Sequence, residues 1–278
     1  MTRPRHLVRP EALGLALVML VAGCGRTPVP ARRPAPAPRD ADPVWHYEGE
    51  EGPDHWGDLS PAFATCRDGR RQSPVDIASP VAIGGTAGFT LRFPPASLRI
   101  AHHEHIADGI NNGHTIQVNY DDGDTLVVGE RAYELVQYHF HHPSEHTIAG
   151  RRFPMEMHMV HRAAGGELAV VAVLIDEGRH NPAFDPVWAN LPRAKGVETH
   201  YEHVMVDVDA LLPPDHASYR YEGSLTTPPC TEGVSWFVLV QPIALDARQV
   251  EAFTDVIADN SRPTQPLNGR VVVTDVVH

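Results

Sequence analysis

Residues 115–120 read Thr-Ile-Gln-Val-Asn-Tyr, polar and apolar side chains in alternation, and a period of two belongs to a strand with one buried face. Asp121, Asp122 and Gly123 supply turn chemistry, so residues 125–128 are expected to return beside that strand as a hairpin. Residues 168–175 differ: Leu-Ala-Val-Val-Ala-Val-Leu-Ile is a continuous apolar run of strand length, the pattern of a strand covered on both faces. Further β-rich runs fall at 204–208, 234–240 and 271–277, whereas only 182–191 and 247–258 carry helical character. The pattern predicts a mainly β (α+β) domain, one large sheet with a few peripheral helices. It does not separate parallel from antiparallel order, because buried strands look alike in both.

The amino terminus has another character. Arg3, Arg5 and Arg9 precede an apolar run over 12–22, which is short for a membrane span and reads as a signal peptide. It ends in Val21-Ala22-Gly23-Cys24, which resembles the lipobox of bacterial lipoproteins and implies cleavage before Cys24 and lipid on that residue. The alternative is an ordinary signal peptide with a cysteine near its cut by coincidence. Pro28, Pro30, Pro34, Pro36 and Pro38 keep residues 26–39 out of helix and ladder, so this stretch is expected as an extended tether. The expected organisation is a lipoprotein signal peptide over 1–23, a lipidated cysteine with Pro-rich tether over 24–39, and one folded domain over 40–278, with no repeat or internal linker. The protein is then exported to the cell envelope and lipid-anchored through Cys24. Gly25 offers no inner-membrane retention signal, which favours the periplasm or outer membrane.

Charge sharpens the division. Seven of 23 basic residues lie before position 40 but only Glu11 of 35 acidic ones, which leaves 16 against 34, or −18, for the rest. So acidic a body disfavours nucleic acid as a partner. Nothing in the pattern sets an oligomeric state. With Cys24 assigned to lipid, Cys66 and Cys230 remain in an oxidising compartment, where one disulfide is expected and two free buried thiols are the alternative.

The chemistry concentrates in Gln137-Tyr138-His139-Phe140-His141, then Ser144-Glu145-His146, then Glu156-Met157-His158-Met159-Val160. On a strand, His139 and His141 share one face while Tyr138 and Phe140 take the other; Glu156, His158 and Val160 likewise share a face. If the two strands are neighbours, three imidazoles converge, and three neutral nitrogens leave one position of a tetrahedral Zn2+ open. A pair of histidines two apart is by itself weak, since 18 histidines will produce such pairs. Gln137 and Glu156 strengthen the reading, because each could accept the second ring N–H of a ligand.

At these residues the chain resembles the alpha carbonic anhydrases. The match runs through His55-Trp56-Gly57, Gln72-Ser73-Pro74-Val75-Asp76-Ile77, Asn111-Asn112-Gly113-His114, the three histidine segments, Tyr221-Glu222-Gly223-Ser224-Leu225-Thr226-Thr227-Pro228-Pro229, and the stretch Asn260-Ser261-Arg262-Pro263-Thr264-Gln265-Pro266-Leu267. The resemblance implies a twisted, mostly antiparallel central sheet of about ten strands. His139, His141 and His158 become zinc ligands, with Gln137 and Glu156 behind two of them, and Cys66 and Cys230 match the disulfide of bacterial members. The implied reaction is the reversible hydration of carbon dioxide to bicarbonate and a proton, by zinc-hydroxide attack.

The same resemblance implies further roles. Thr226, locked by a hydrogen bond to Glu145, orients the attacking oxygen. Val160, Val170, Leu225 and Trp236 form an apolar wall for carbon dioxide, with Thr226 and Thr227 beside it. His114 passes the proton to solvent, and Asn112 and Gln117 hold its water chain. Each of these, read singly, is an ordinary turn, surface or core residue. The His102, His103, His105 cluster reads as a solvated loop. Two departures stand out: His142-Pro143 follows the ligand pair where many animal relatives have Trp-Gly, and Asp58 stands where a tyrosine orders active-site water. A non-catalytic carbonic-anhydrase-like binding module is the main rival reading. A zinc hydrolase is a weaker one, since the metalloprotease His-Glu-x-x-His is absent.

Overall fold

The apolar run at 168–175 lies in the strand Leu168–Glu177, which pairs on both edges and has both faces covered, so seven successive residues are buried. Around it the computed structural model describes residues 43–82, 89–92, 96–103, 115–119, 125–196 and 198–274. The expectations for 1–39, including Cys24, and for Asn112, His114, His105 and the 121–123 turn lie outside the described residues.

Ten strands follow one path. In chain order they are β1 (Val81–Ala82), β2 (Ala96–His103), β3 (Thr115–Asn119), β4 (Arg131–His141), β5 (Met155–Ala163), β6 (Leu168–Glu177), β7 (Glu198–Val206), β8 (Ser218–Ser224), β9 (Glu232–Leu239) and β10 (Val273–Thr274). Across the sheet they run β7-β2-β3-β4-β5-β6-β9-β8-β10-β1. Among the described residues only β6–β9 and β10–β1 are parallel neighbours on this path. The sheet is therefore mixed but mostly antiparallel, as expected. The helical runs shrink to a 3-10 turn Pro182–Phe184, a short helix Asp185–Trp188 and the helix Ala247–Thr254, whose start Asp246 and Gln249 close with a capping box.

The expected hairpin is not formed. Residues Thr125–Val128 turn forward through Gly129, at φ +60°, and pair with Arg131–Glu134, while β3 pairs with Gln137–His139 farther along. β4, at 11 residues, is long enough to carry both segments on one edge. A glycine in the left-handed region closes the tighter turn there.

One irregularity in β4 aims the site. Tyr133 and Leu135 point into the helix-covered core, and so do Tyr138 and Phe140. Strict alternation forbids odd and even residues on one face. Val160 pairs with Gln137 but His161 with Leu135, so Val136 is an extra residue, a β-bulge that turns the odd positions to the opposite face from Gln137 onward. Met155, Met157 and Met159 line the helix side without interruption. Val160, Val170 and Trp236 belong to a separate cluster on the other face.

A third cluster closes the amino-terminal side: Trp45, Trp56 and Phe63 pack with the Cys66–Cys230 disulfide. The bridge spans 164 positions, and the chain-entropy model gives a loop of that length about 5 kcal/mol of stabilisation.

His161 packs in the helix-side core, fully buried, its Nδ1 2.9 Å from the Met159 carbonyl. Burial pulls its pKa down to about 4, against the partial compensation of backbone hydrogen bonds. Above about pH 6.5 both folded and unfolded rings are neutral and pH has no leverage through this group. Between about 6.5 and 4 only the unfolded ring takes a proton, so stability falls as pH falls. The shift corresponds to about 3 kcal/mol. The urea-unfolding free energy of the wild type, measured against His161→Gln, is expected to decline by that order from pH 7 to pH 4; a pH-independent difference rules the linkage out.

Candidate metal centre

Register brings the histidines together. His158 lies directly opposite His139, and Glu156 opposite His141, so β4 and β5 present all four side chains on the face away from the helices. His139, His141 and His158 each offer a ligand nitrogen within 4.8 Å of the others, and all three are buried.

Each ring spends its other nitrogen on an acceptor. His139 Nδ1 lies 2.8 Å from Gln137 Oε1, His158 Nε2 2.8 Å from Glu156 Oε1, and His141 Nδ1 2.7 Å from the backbone oxygen of Asn260. An amide carbonyl, a carboxylate and a backbone carbonyl can only accept, so in each ring this nitrogen carries the proton. The lone pairs therefore sit on the remaining nitrogens. Burial holds His139 well below the ordinary histidine pKa, with repulsion from His141 and His158 adding to it, and burial also lowers His141. These rings stay neutral, which is the form that binds a metal.

Among the described residues, His141 Nε2 and Glu145 Oε2, 3.6 Å apart, are buried and make no hydrogen bond, and the same holds for the amide nitrogen of Gln137. Glu145 Oε2 is also 3.8 Å from His158 Nδ1. Buried lone pairs without a donor are disfavoured by about 1–3 kcal/mol each, and a cation among three neutral imidazoles relieves this. The donor set fits zinc with one position left over.

His146, Glu156 and His158 form a second group of possible ligand atoms. There the His146 Nδ1 to Glu156 Oε1 separation is 2.6 Å. Two ligands of a tetrahedral zinc at ordinary bond lengths stand about 3.3 Å apart. This contact is thus a hydrogen bond, and the group a chain of them.

The apolar wall also follows from register. Gln137, Val160, Val170, Trp236 and Tyr221 lie opposite one another in turn across β4, β5, β6, β9 and β8, one row above the His139–His158 row. Val160, Val170, Leu225, Thr226, Thr227 and Trp236 together line a cavity bounded by His139 and His158. It offers about 20 Å³ to the centre of a water-sized sphere, room for a very small guest.

Other expectations resolve less simply. Gln117 lies opposite His139 on the same face, its amide bonded to Asn119. Thr226 sits at the wall, but the anticipated hydrogen bond to Glu145 is not made: Glu145 Oε1 accepts from Arg262 N at 2.9 Å, and Oε2 turns towards the ligand nitrogens without a partner. Asp58 lies on an exposed helix face, ion-paired with Arg67. The buried hydroxyl of Tyr47 has its pKa raised by burial first and then by the Glu145 charge. His142 Nδ1 is 2.8 Å from the Pro154 carbonyl.

Sequence reasoning also missed Asn260 and Arg262. Asn260 holds His141 through its backbone oxygen, and its side chain bonds Phe140 O and His142 N at 2.9 and 2.7 Å. Arg262, 1% exposed, bonds Gln72 Oε1 and the carbonyls of Ser73 and Cys66. Both stand in the stretch 260–267 singled out above, but no side-chain pattern announces a backbone acceptor.

Comparison with known proteins meets this geometry. A family model described as eukaryotic-type carbonic anhydrase matches residues 51–276. A carbonic anhydrase of Neisseria gonorrhoeae is 43% identical over 231 residues, 82% of this chain and 87% of that protein. One from a Nostoc strain is 39% identical over 233 residues, covering 82% and 85%. The solved alpha-carbonic anhydrase of Thermovibrio ammonificans, in complex with the inhibitor sulfanilamide, superposes with a TM-score of 0.77 at 38% identity, covering 83% of this chain and 99% of that one.

Proposed function

The chain belongs to the eukaryotic-type, or alpha, carbonic anhydrases, and on that premise we infer that it catalyses the reversible hydration of carbon dioxide to bicarbonate and a proton. The observation that carries the inference is the buried trio His139, His141 and His158, each ring proton committed to an acceptor and each lone pair turned inward. Zinc held by the trio supplies a Lewis acid that makes hydroxide available near neutral pH. Gln137, Glu156 and the Asn260 carbonyl keep the rings aimed.

The remaining roles are this reading's assignments. Val160, Val170, Leu225 and Trp236 receive carbon dioxide, an uncharged molecule that an apolar wall holds better than charged anchors would. Thr226 orients the attacking oxygen once its hydroxyl gives its hydrogen to Glu145 Oε2, a bond this structure does not make, and the backbone of Thr226 with Thr227 steadies the product. His114 carries the released proton to solvent, because an imidazole titrates near neutrality and can pass it in both directions. Asn112 and Gln117 hold the intervening water. Lipid on Cys24 and the tether over 24–39 keep the domain 40–278 at the cell envelope, on the periplasmic side or at the outer membrane.

A stopped-flow assay decides the central reading: hydration should be fast with one zinc per chain, fall to background on chelation and return with zinc. Background rates from the zinc-loaded protein would favour the non-catalytic binding module instead. His114→Ala should keep its zinc and slow the rate about 10-fold or more in weak buffer, with recovery as imidazole is added. A variant that matches the parent at every buffer concentration sinks the shuttle. Cys24→Ser should move the protein from the membrane to the soluble fraction, and unchanged fractionation refutes the anchor.

A further inference from the structure

The zinc reading leaves His146 without a task, although it is fully buried two bonds of the network away from a ligand. Glu156 stands between them. Its Oε2 accepts from the backbone N–H groups of Glu145 and His146, both at 2.8 Å, and its Oε1 lies 2.6 Å from His146 Nδ1 and 2.8 Å from His158 Nε2. Four donors fill the lone-pair positions of a carboxylate. Behind it, His146 Nε2 is 2.6 Å from Tyr221 Oη, whose hydroxyl reaches Ser73 Oγ at 2.9 Å. The His146 and His158 rings both rest 4.9 Å from the Trp236 ring.

We propose that His146 is a positioning residue of the zinc centre, holding Glu156 Oε1 against His158 through its own ring Nδ1, with Tyr221 and Ser73 fixing it from behind. The backbone donors pin only Oε2. Without a second donor at Oε1, that oxygen keeps an unfilled lone pair in a buried site and no fixed direction towards His158. Shared between two rings, Oε1 is fixed in direction, and the His158 ring is held in one orientation. Outer partners of this kind typically change metal affinity by about 10- to 100-fold. The proposal rests on the zinc reading of the trio.

The test separates the donor from the bulk of the ring. An asparagine amide nitrogen stands near the place of Nδ1, and a glutamine amide nitrogen near that of Nε2. By chelator competition, His146→Asn should hold zinc within about 3-fold of the wild type, while His146→Gln should weaken it about 10-fold or more. Melting of the two zinc-free variants should fall alike, because both lose the ring's packing on Trp236. Equal zinc affinity in the two variants overturns the proposal. If neither folds, Tyr221→Phe keeps every ring and removes only the rear support; in the folded protein it should release zinc about 3-fold faster or more, and unchanged release overturns the proposal as well. A wild type that binds no stoichiometric zinc would refute the metal reading itself, a result distinct from either of these.

Discussion

Three imidazoles can be buried side by side only if each has somewhere to put its proton and something to receive its lone pair. Gln137, Glu156 and the Asn260 carbonyl answer the first need, and the inward-facing nitrogens define the second. A charged ring would be unfavourable beside its neighbours, and burial already pushes His139 and His141 towards neutrality. Much of the surrounding structure can be understood as what keeps those acceptors in place.

Glu156 is buried and still ionised: burial raises its pKa, but the ring N–H groups of His146 and His158 outweigh that and bring it well below the usual carboxylate range. Asn260 is held by its bonds to Phe140 and His142, so the end of β4 and the 260–262 stretch form one unit. Arg262 continues that unit. Its backbone N–H meets Glu145, and its guanidinium ties Gln72, Ser73 and Cys66 together beneath the Trp56 ring. The Cys66–Cys230 bridge then joins this clasp to the loop that carries Thr226 and Thr227, where Cys230 N bonds Thr227 O at 2.8 Å. A single chain of contacts thus runs from the amino-terminal aromatic cluster to the cavity wall.

The sheet gives the site its two chemical halves. Rows of directly opposed residues place polar Gln117, His139 and His158 beside the apolar row of Val160, Val170 and Trp236. An apolar guest can therefore lie against one row while the metal is held by the other. The opposite face of the same strands is filled by Tyr138, Phe140 and the three methionines of β5 under the helices, which leaves the ligand strands little freedom to shift.

Much of this was legible along the chain. Alternation in β4 and β5 determines that His139 pairs in direction with His141, and Glu156 with His158, because side-chain period is a local property of an extended backbone. The unbroken apolar run of β6 likewise announces a strand covered on both faces, and the motif order carries the family. Tertiary structure decided the rest. Which strand lies beside which, where Val136 bulges out of register, and that Thr125–Val128 turns towards β4 instead of β3 depend on pairings that no local pattern encodes. So do the Asn260 carbonyl behind His141 and Glu145 turned towards the ligands without Thr226. Side-chain type is written in the sequence, but a backbone acceptor and a lone pair acquire direction only when residues more than a hundred positions apart are packed together.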